Sequence, residues 1–258
     1  MRTMPNYANP AEFLRLVRVA LPVTAGVTAV LFGIGLYLAL FVAPPDYQQG
    51  ETVRIMYLHV PSAWMAMFVY LVMSAAALGT LVWRHPLADA AQKAAAPLGA
   101  GFTSLCLVTG SLWGKPEWGT WWVWDARLTS VFVLFLIYLG IIALWQVIED
   151  PGKGARLAAI FTLVGAVNIP IIKFSVDWWN TLHQSSSVFR MGGPTIALSM
   201  LWPLIVMALA FTSLFLTLHM MAIRNEILRR RIRRLSMLAA SAGEGEAHVP
   251  AIFAEPAQ

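Results

Sequence analysis

The sequence is short of charge, short of cysteine and without a nucleotide-binding loop, and each shortage removes a class of protein. Only 12% of the 258 residues are Asp, Glu, Lys or Arg, about half of what a soluble globular domain carries. The one cysteine, Cys106, lies inside an apolar stretch, so there is no disulfide framework, no CxxC pair for thiol exchange and no CxxCH site for covalent haem attachment. Gly114-Lys115 is followed by Pro116 and lacks the upstream glycine of a P-loop, so any ATP must act through a partner. The first apolar stretch ends in Phe41-Val42-Ala43-Pro44 without a small-x-small cleavage site, and a retained helix is expected there.

What is present in quantity is apolar surface. Hydrophobic residues make up 59% of the chain and the mean hydropathy is +0.67. A hydrocarbon core about 30 Å thick takes roughly 20 apolar residues as a helix. Six such stretches occur, over approximately residues 20–43, 62–83, 94–113, 129–148, 156–174 and 195–222. The expected fold is an all-α integral membrane protein of six transmembrane helices, residues 1–225 forming a single membrane domain and 226–258 a basic juxtamembrane run with a disordered tail. Pro10 to Val19 suggests a short interfacial helix ahead of the first span.

An even number of spans puts both ends on one side, and the basic residues choose the side. With the termini in the cytoplasm, thirteen of the eighteen Lys and Arg residues lie inside, leaving Arg54, Lys115, Arg127, Lys173 and Arg190 outside. The run Arg229 to Arg234 lies just past the last span, where a stop-transfer and contact with anionic lipid explain it better than nucleic-acid binding. Three segments then face outward: residues 44–61, 113–128 and 175–194.

The middle segment concentrates aromatic residues. From Trp113 to Trp124 it holds five of the eleven tryptophans: Trp113, Trp118, Trp121, Trp122 and Trp124. An interfacial belt is the plain alternative, but a belt appears at both surfaces, and only Trp83 and Trp145 lie near the cytoplasmic one. If Glu117 to Thr129 turns as a helix, Trp118, Trp121, Trp122 and Asp125 follow i, i+3, i+4, i+7 and share a face, with Trp124 beside it. A row of rigid indoles suits a large, flat, apolar ligand.

His59, in Tyr57-Leu-His59-Val-Pro61-Ser62, and His183, in Trp178-Trp179-Asn180-Thr-Leu-His183, lie in the flanking external segments. Each alone reads as an interfacial hydrogen-bonding residue; together on the tryptophan side they can close both axial positions of a haem iron. His85, His219 and His248 lie on the cytoplasmic side or in the tail and fit less well. Arg54 and Arg127 are candidate partners for haem propionates, although Asp125 competes for Arg127. Asn168 and Lys173 in the fifth span are the nearest hints of a polar path, and Pro97, Pro170 and Pro203 are possible kinks from which no function follows.

The run Trp118-Gly-Thr-Trp121-Trp122-Val-Trp124-Asp125-Ala-Arg127-Leu-Thr129 resembles the WWD signature of the haem-handling membrane proteins of cytochrome c biogenesis. Across most of residues 12–225 the chain is similar to the haem exporter C family of the cytochrome c maturation system (CcmC), in span count, length and a histidine in each flanking loop. The resemblance implies non-covalent, transiently held b-type haem on the WWD segment, with His59 and His183 as axial ligands, at the periplasmic face of a bacterial inner membrane. It further implies delivery to the periplasmic haem chaperone CcmE, with the small membrane protein CcmD and the ABC transporter CcmA/CcmB as neighbours. No turnover chemistry is expected. A membrane b-type electron carrier and a haem-free permease subunit are the alternatives, the first usually holding haem between histidines within the spans, the second predicting a colourless protein.

Overall fold

The structure is a computed structural model that describes residues 9–85, 87–184, 187–188 and 190–247. Among the described residues seven α-helices make six crossings: α1 Pro10–Tyr37, α2 Met56–Val82, α3 Ala88–Trp118, α4 Ala126–Val147, the pair α5 Pro151–Gly165 and α6 Asn168–Trp178, and α7 Leu198–Ala247. Six segments are long and apolar enough to span a bilayer, as the hydropathy pattern predicts, and no named strand occurs among the described residues. The chain is a multi-pass α-helical membrane protein. Segments 43–55, 119–125 and, among the described residues, 179–184 and 190–197 lie at one end of the bundle, called here the tryptophan end, and the helix ends nearest the two termini lie at the other.

Several helices begin or end outside the apolar stretches because polar residues near the interface satisfy their free backbone groups. Asn9 Oδ1 accepts from Ala11 N–H at 2.9 Å, and Pro10 supplies a preset φ, so α1 absorbs the interfacial segment expected ahead of the first span. At its far end α1 widens into a π-turn over Leu38–Val42, with Ala43 N–H donating to Leu38 C=O at 2.7 Å. Arg54 donates to the carbonyls of Ala39 and Ala43 at 2.6 and 3.2 Å and pairs with Glu51, which ties this irregular turn to the 3-10 turn Glu51–Ile55.

The fifth crossing is broken. Pro170 has no N–H to give Ala166 C=O, so α5 ends at Gly165 and α6 restarts at Asn168. An unsatisfied backbone group in lipid costs several kcal/mol. Ile169 N–H meets that need by donating to Ala166 C=O at 3.0 Å, while Tyr70 Oη donates to Thr162 C=O at 2.8 Å and Asn168 Nδ2 donates to Ser130 C=O at 2.8 Å, holding the break against α2 and α4. Asn168 is therefore a packing residue in this fold. Tyr138 Oη likewise donates to Ala66 C=O at 2.8 Å, and Tyr57, Tyr70, Met73, Leu134, Tyr138 and Phe215 form the fully buried centre.

The last helix runs on beyond the apolar stretch. At 50 residues it is roughly 75 Å long, more than twice a hydrocarbon core. It carries Arg229 to Arg234 and continues as helix to Ala247, well into the 226–258 stretch whose composition suggested a basic run and a disordered tail. His248 and the residues after it lie outside the described residues. At this end Glu226, 8% exposed, bonds Lys93 at 3.0 Å and Arg230 at 2.8 Å, while Arg230 reaches Asp89 at 2.7 Å. These pairs lock the start of α3 to α7.

Candidate functional site

The tryptophan segment is not the helix that its spacing allowed. Gly119 adopts φ +74, a left-handed conformation that glycine takes at no cost, and its N–H closes α3 on Lys115 C=O at 3.1 Å. Residues 120–125 then run without helix until Asp125 caps α4, its Oδ1 accepting from Leu128 N–H at 2.8 Å. Such a cap is worth about 1 kcal/mol to the helix. The register that would put Trp118, Trp121, Trp122 and Asp125 on one face therefore does not exist.

Instead the indoles divide into two groups. Trp113 and Trp118 stay on α3 and accompany the histidines. Trp121, Trp122 and Trp124 lie on the extended run and, with Val108 and Leu112 of α3 and Phe132 of α4, line an open apolar cleft of about 500 Å³. Trp122 packs edge-on against Trp124 at 5.5 Å, and its buried Nε1 has no hydrogen-bond partner. Lys115 donates to Gly119 C=O at 3.0 Å and sits 5.9 Å from the Trp121 ring centre. Trp178 and Trp179, at the end of α6, remain half exposed.

His59 lies inside the first turns of α2, which starts at Met56 and not at Pro61-Ser62. Its Nδ1 is 3.1 Å from both Cys106 C=O and Thr109 Oγ1 on α3. Thr109 Oγ1 itself donates to Leu105 C=O at 2.6 Å, and a carbonyl can only accept, so Nδ1 carries the proton. Nε2 is then the free lone pair, and no hydrogen bond among the described residues reaches it.

Two glycines one turn apart on α3 make room for these rings. A Cβ at Gly110 would stand 2.9 Å from His59 Cε1, and one at Gly114 would stand 2.9 Å from Trp118 Cε3. The imidazole thus lies on Gly110 and the indole folds back over Gly114. Trp113 meets the His59 ring edge-on at 5.7 Å, and Trp118 meets the His183 ring at 5.0 Å.

His183 comes from the segment between α6 and α7. Asp125 Oδ2 accepts from Leu182 N–H at 3.3 Å and lies 3.9 Å from His183 Nδ1, which is buried and has no hydrogen-bond partner among the described residues. Burial pushes the His183 imidazole down to about 4, reinforced by the positive charge of Arg127 and opposed by Asp125. The ring is therefore neutral at physiological pH.

The candidate anion partners are partly committed elsewhere. Arg127 donates through Nε to Ser175 Oγ at 3.0 Å and through Nη2 to Ile172 and Lys173 C=O at 3.3 and 3.4 Å, pinning α4 to α6 and leaving Nη1 over. Arg54 has its Nε and Nη1 engaged, as described above, which leaves Nη2. Sequence reasoning passed over the α3 face of Cys106, Thr109, Gly110 and Trp113, although its i, i+3, i+4, i+7 spacing was available as a signal.

A bundle of six crossings with His59, His183 and adjacent indoles gathered at one end defines a class of polytopic helical membrane protein with a histidine and tryptophan cluster at one interface. Comparison with known proteins supplies the family. The family model described as Heme exporter protein C matches residues 3–238. A Heme exporter protein C of Bradyrhizobium diazoefficiens is 64% identical over 239 residues, covering 93% of this chain and 90% of the relative. A Heme exporter protein C of Escherichia coli is 45% identical over 234 residues, covering 90% of this chain and 94% of the relative. A ccmC-like mitochondrial protein of cytochrome c biosynthesis from Marchantia polymorpha is 50% identical over 181 residues, 70% of this chain and 76% of the relative. The chain belongs to the Heme exporter protein C family.

Proposed function

We propose that this protein holds haem at the outer face of the bacterial inner membrane, between His59 and His183, and passes it on for cytochrome c maturation. The observation that carries the proposal is the state of the two rings. His59 has its Nδ1 proton fixed by a carbonyl and its Nε2 free, and His183 is a neutral imidazole with an unpartnered buried Nδ1. Neutral imidazoles with one nitrogen oriented by the protein are what an iron centre uses. Trp113 and Trp118 flank the rings, and the cleft lined by Trp121, Trp122 and Trp124 offers apolar surface to the porphyrin or to the acceptor that collects it. Arg127 Nη1 and Arg54 Nη2, the guanidinium groups not engaged elsewhere, would be the partners for the haem propionates.

The acceptor is the haem chaperone CcmE, with CcmD and the transporter CcmA/CcmB as neighbours, as the family membership suggests. The protein performs binding and delivery, with ATP hydrolysis left to the transporter. The indoles are tested by replacing Trp121 and Trp122 with alanine, then measuring haem content of the purified protein and loading of the chaperone. Loss of either supports the proposal and separates retention from hand-over; both at wild-type level would refute a role for the cleft.

A further inference from the structure

We propose that Asp125 is a positioning residue for His183, and that it makes the two axial ligands chemically unequal. The inference rests on the bis-imidazole site proposed above. Asp125 divides its two oxygens between separate tasks. Oδ1 starts α4 through Leu128 N–H, and Oδ2 holds Leu182 N–H while facing His183 Nδ1 across 3.9 Å. Closing that gap by about 1 Å gives a hydrogen bond of ordinary length.

The imidazole has a reason to close it. Its Nδ1 is buried with no hydrogen-bond partner among the described residues. When Nε2 binds iron, the ring proton resides on Nδ1 and becomes more acidic, so a carboxylate is the acceptor that gains most from it. His59 is backed differently. Its Nδ1 faces the Cys106 carbonyl and the Thr109 hydroxyl, both uncharged.

A ring that shares its Nδ1 proton with a carboxylate donates more electron density through Nε2 than one bonded to a carbonyl. His183 is therefore the stronger ligand for ferric iron, and the site favours ferric over ferrous haem. Arg127, the nearest cation in sequence, is turned to α6 through Ser175, Ile172 and Lys173 and leaves the carboxylate to His183.

The test is Asp125→Asn, with Asp125→Glu as the charge-conserving control, in the full-length protein purified in detergent. Asparagine also caps helices, so α4 keeps its start while the anion is removed. The expected result is a haem that remains low-spin in Asp125→Asn but loses about tenfold of its ferric-over-ferrous preference, which is about 59 mV higher in midpoint potential for a one-electron couple. Asp125→Glu restores part of that difference. An unchanged potential in Asp125→Asn overturns the role of Asp125. If the variant purifies without haem, ferric and ferrous haem are titrated into it separately. A larger loss for ferric haem supports the proposal; equal losses for both overturn it. A wild-type protein without bis-histidine bands instead overturns the site itself, a failure distinct from that of Asp125.

Discussion

The two ends of the bundle treat histidine and charge in opposite ways. At the end nearest the termini, Asp89, Lys93, Glu226 and Arg230 form a closed set of ion pairs, and His219 Nε2 is bonded to Ala91 C=O at 2.9 Å with its ring stacked on Phe215. At the tryptophan end, His59 Nε2 and His183 Nδ1 lack partners among the described residues, and Trp122 Nε1 is buried without one. Buried polar groups are normally satisfied, and each exception asks for a reason. The ends differ in how they place histidines and charges and not in completeness, since Gln92 Oε1 and Trp145 Nε1 at the end nearest the termini are also buried without partners among the described residues.

The largest expected effect breaks the tryptophan end. Gly110→Ala places a Cβ 2.9 Å from His59 Cε1 and must tilt the ring, so haem content of the purified protein falls by about tenfold or more while the helical circular dichroism is retained. Acid acts next. With the His183 imidazole held down at about 4 by burial, an unfolded chain takes up this proton near 6.5 and the native one does not. Native stability therefore falls as pH drops from about 6.5 towards 4, and the neutral ligand persists through that window. Haem titrated into the haem-free protein binds equally well from pH 8 to about 5 and more weakly only as pH approaches 4; a weakening centred near 6.5 would mean an exposed, ordinary imidazole.

The ion-paired end answers differently. Glu226→Gln removes the anion between Lys93 and Arg230 and costs about 1–3 kcal/mol, read as a lower Tm, with the haem spectrum unchanged. His219→Ala gives the smallest effect, a wild-type haem spectrum, since its ring packs at the far end from the site. A shifted Soret band in that variant would erase the contrast between the ends.

The same contrast governs what could be read from the amino acids. Hydropathy locates all six crossings, because lipid exposure demands apolar residues over each, but helix ends depend on single polar contacts that hydropathy does not weigh. Asn9 and Asp125 are legible as caps; the continuation of α3 to Trp118 depends on Gly119, whose left-handed turn also cancels the helical register of the indoles. The break at residues 166–167 follows from Pro170, but the contacts that hold it, Ile169 N–H on Ala166 C=O, Tyr70 on Thr162 C=O and Asn168 on Ser130 C=O, form only in three dimensions. His59 and His183 stood out as residue types on one side of the membrane. Their orientation did not, because it is set by Cys106 C=O, Gly110 and Asp125, which come together only in three dimensions.

Electron paramagnetic resonance of the oxidised, haem-loaded protein tests the central claim most directly, comparing wild type with His59→Ala and His183→Ala. A low-spin bis-imidazole signal in wild type, converted to high spin by either substitution and restored by added imidazole, is the predicted result. A low-spin signal that survives both substitutions would contradict it.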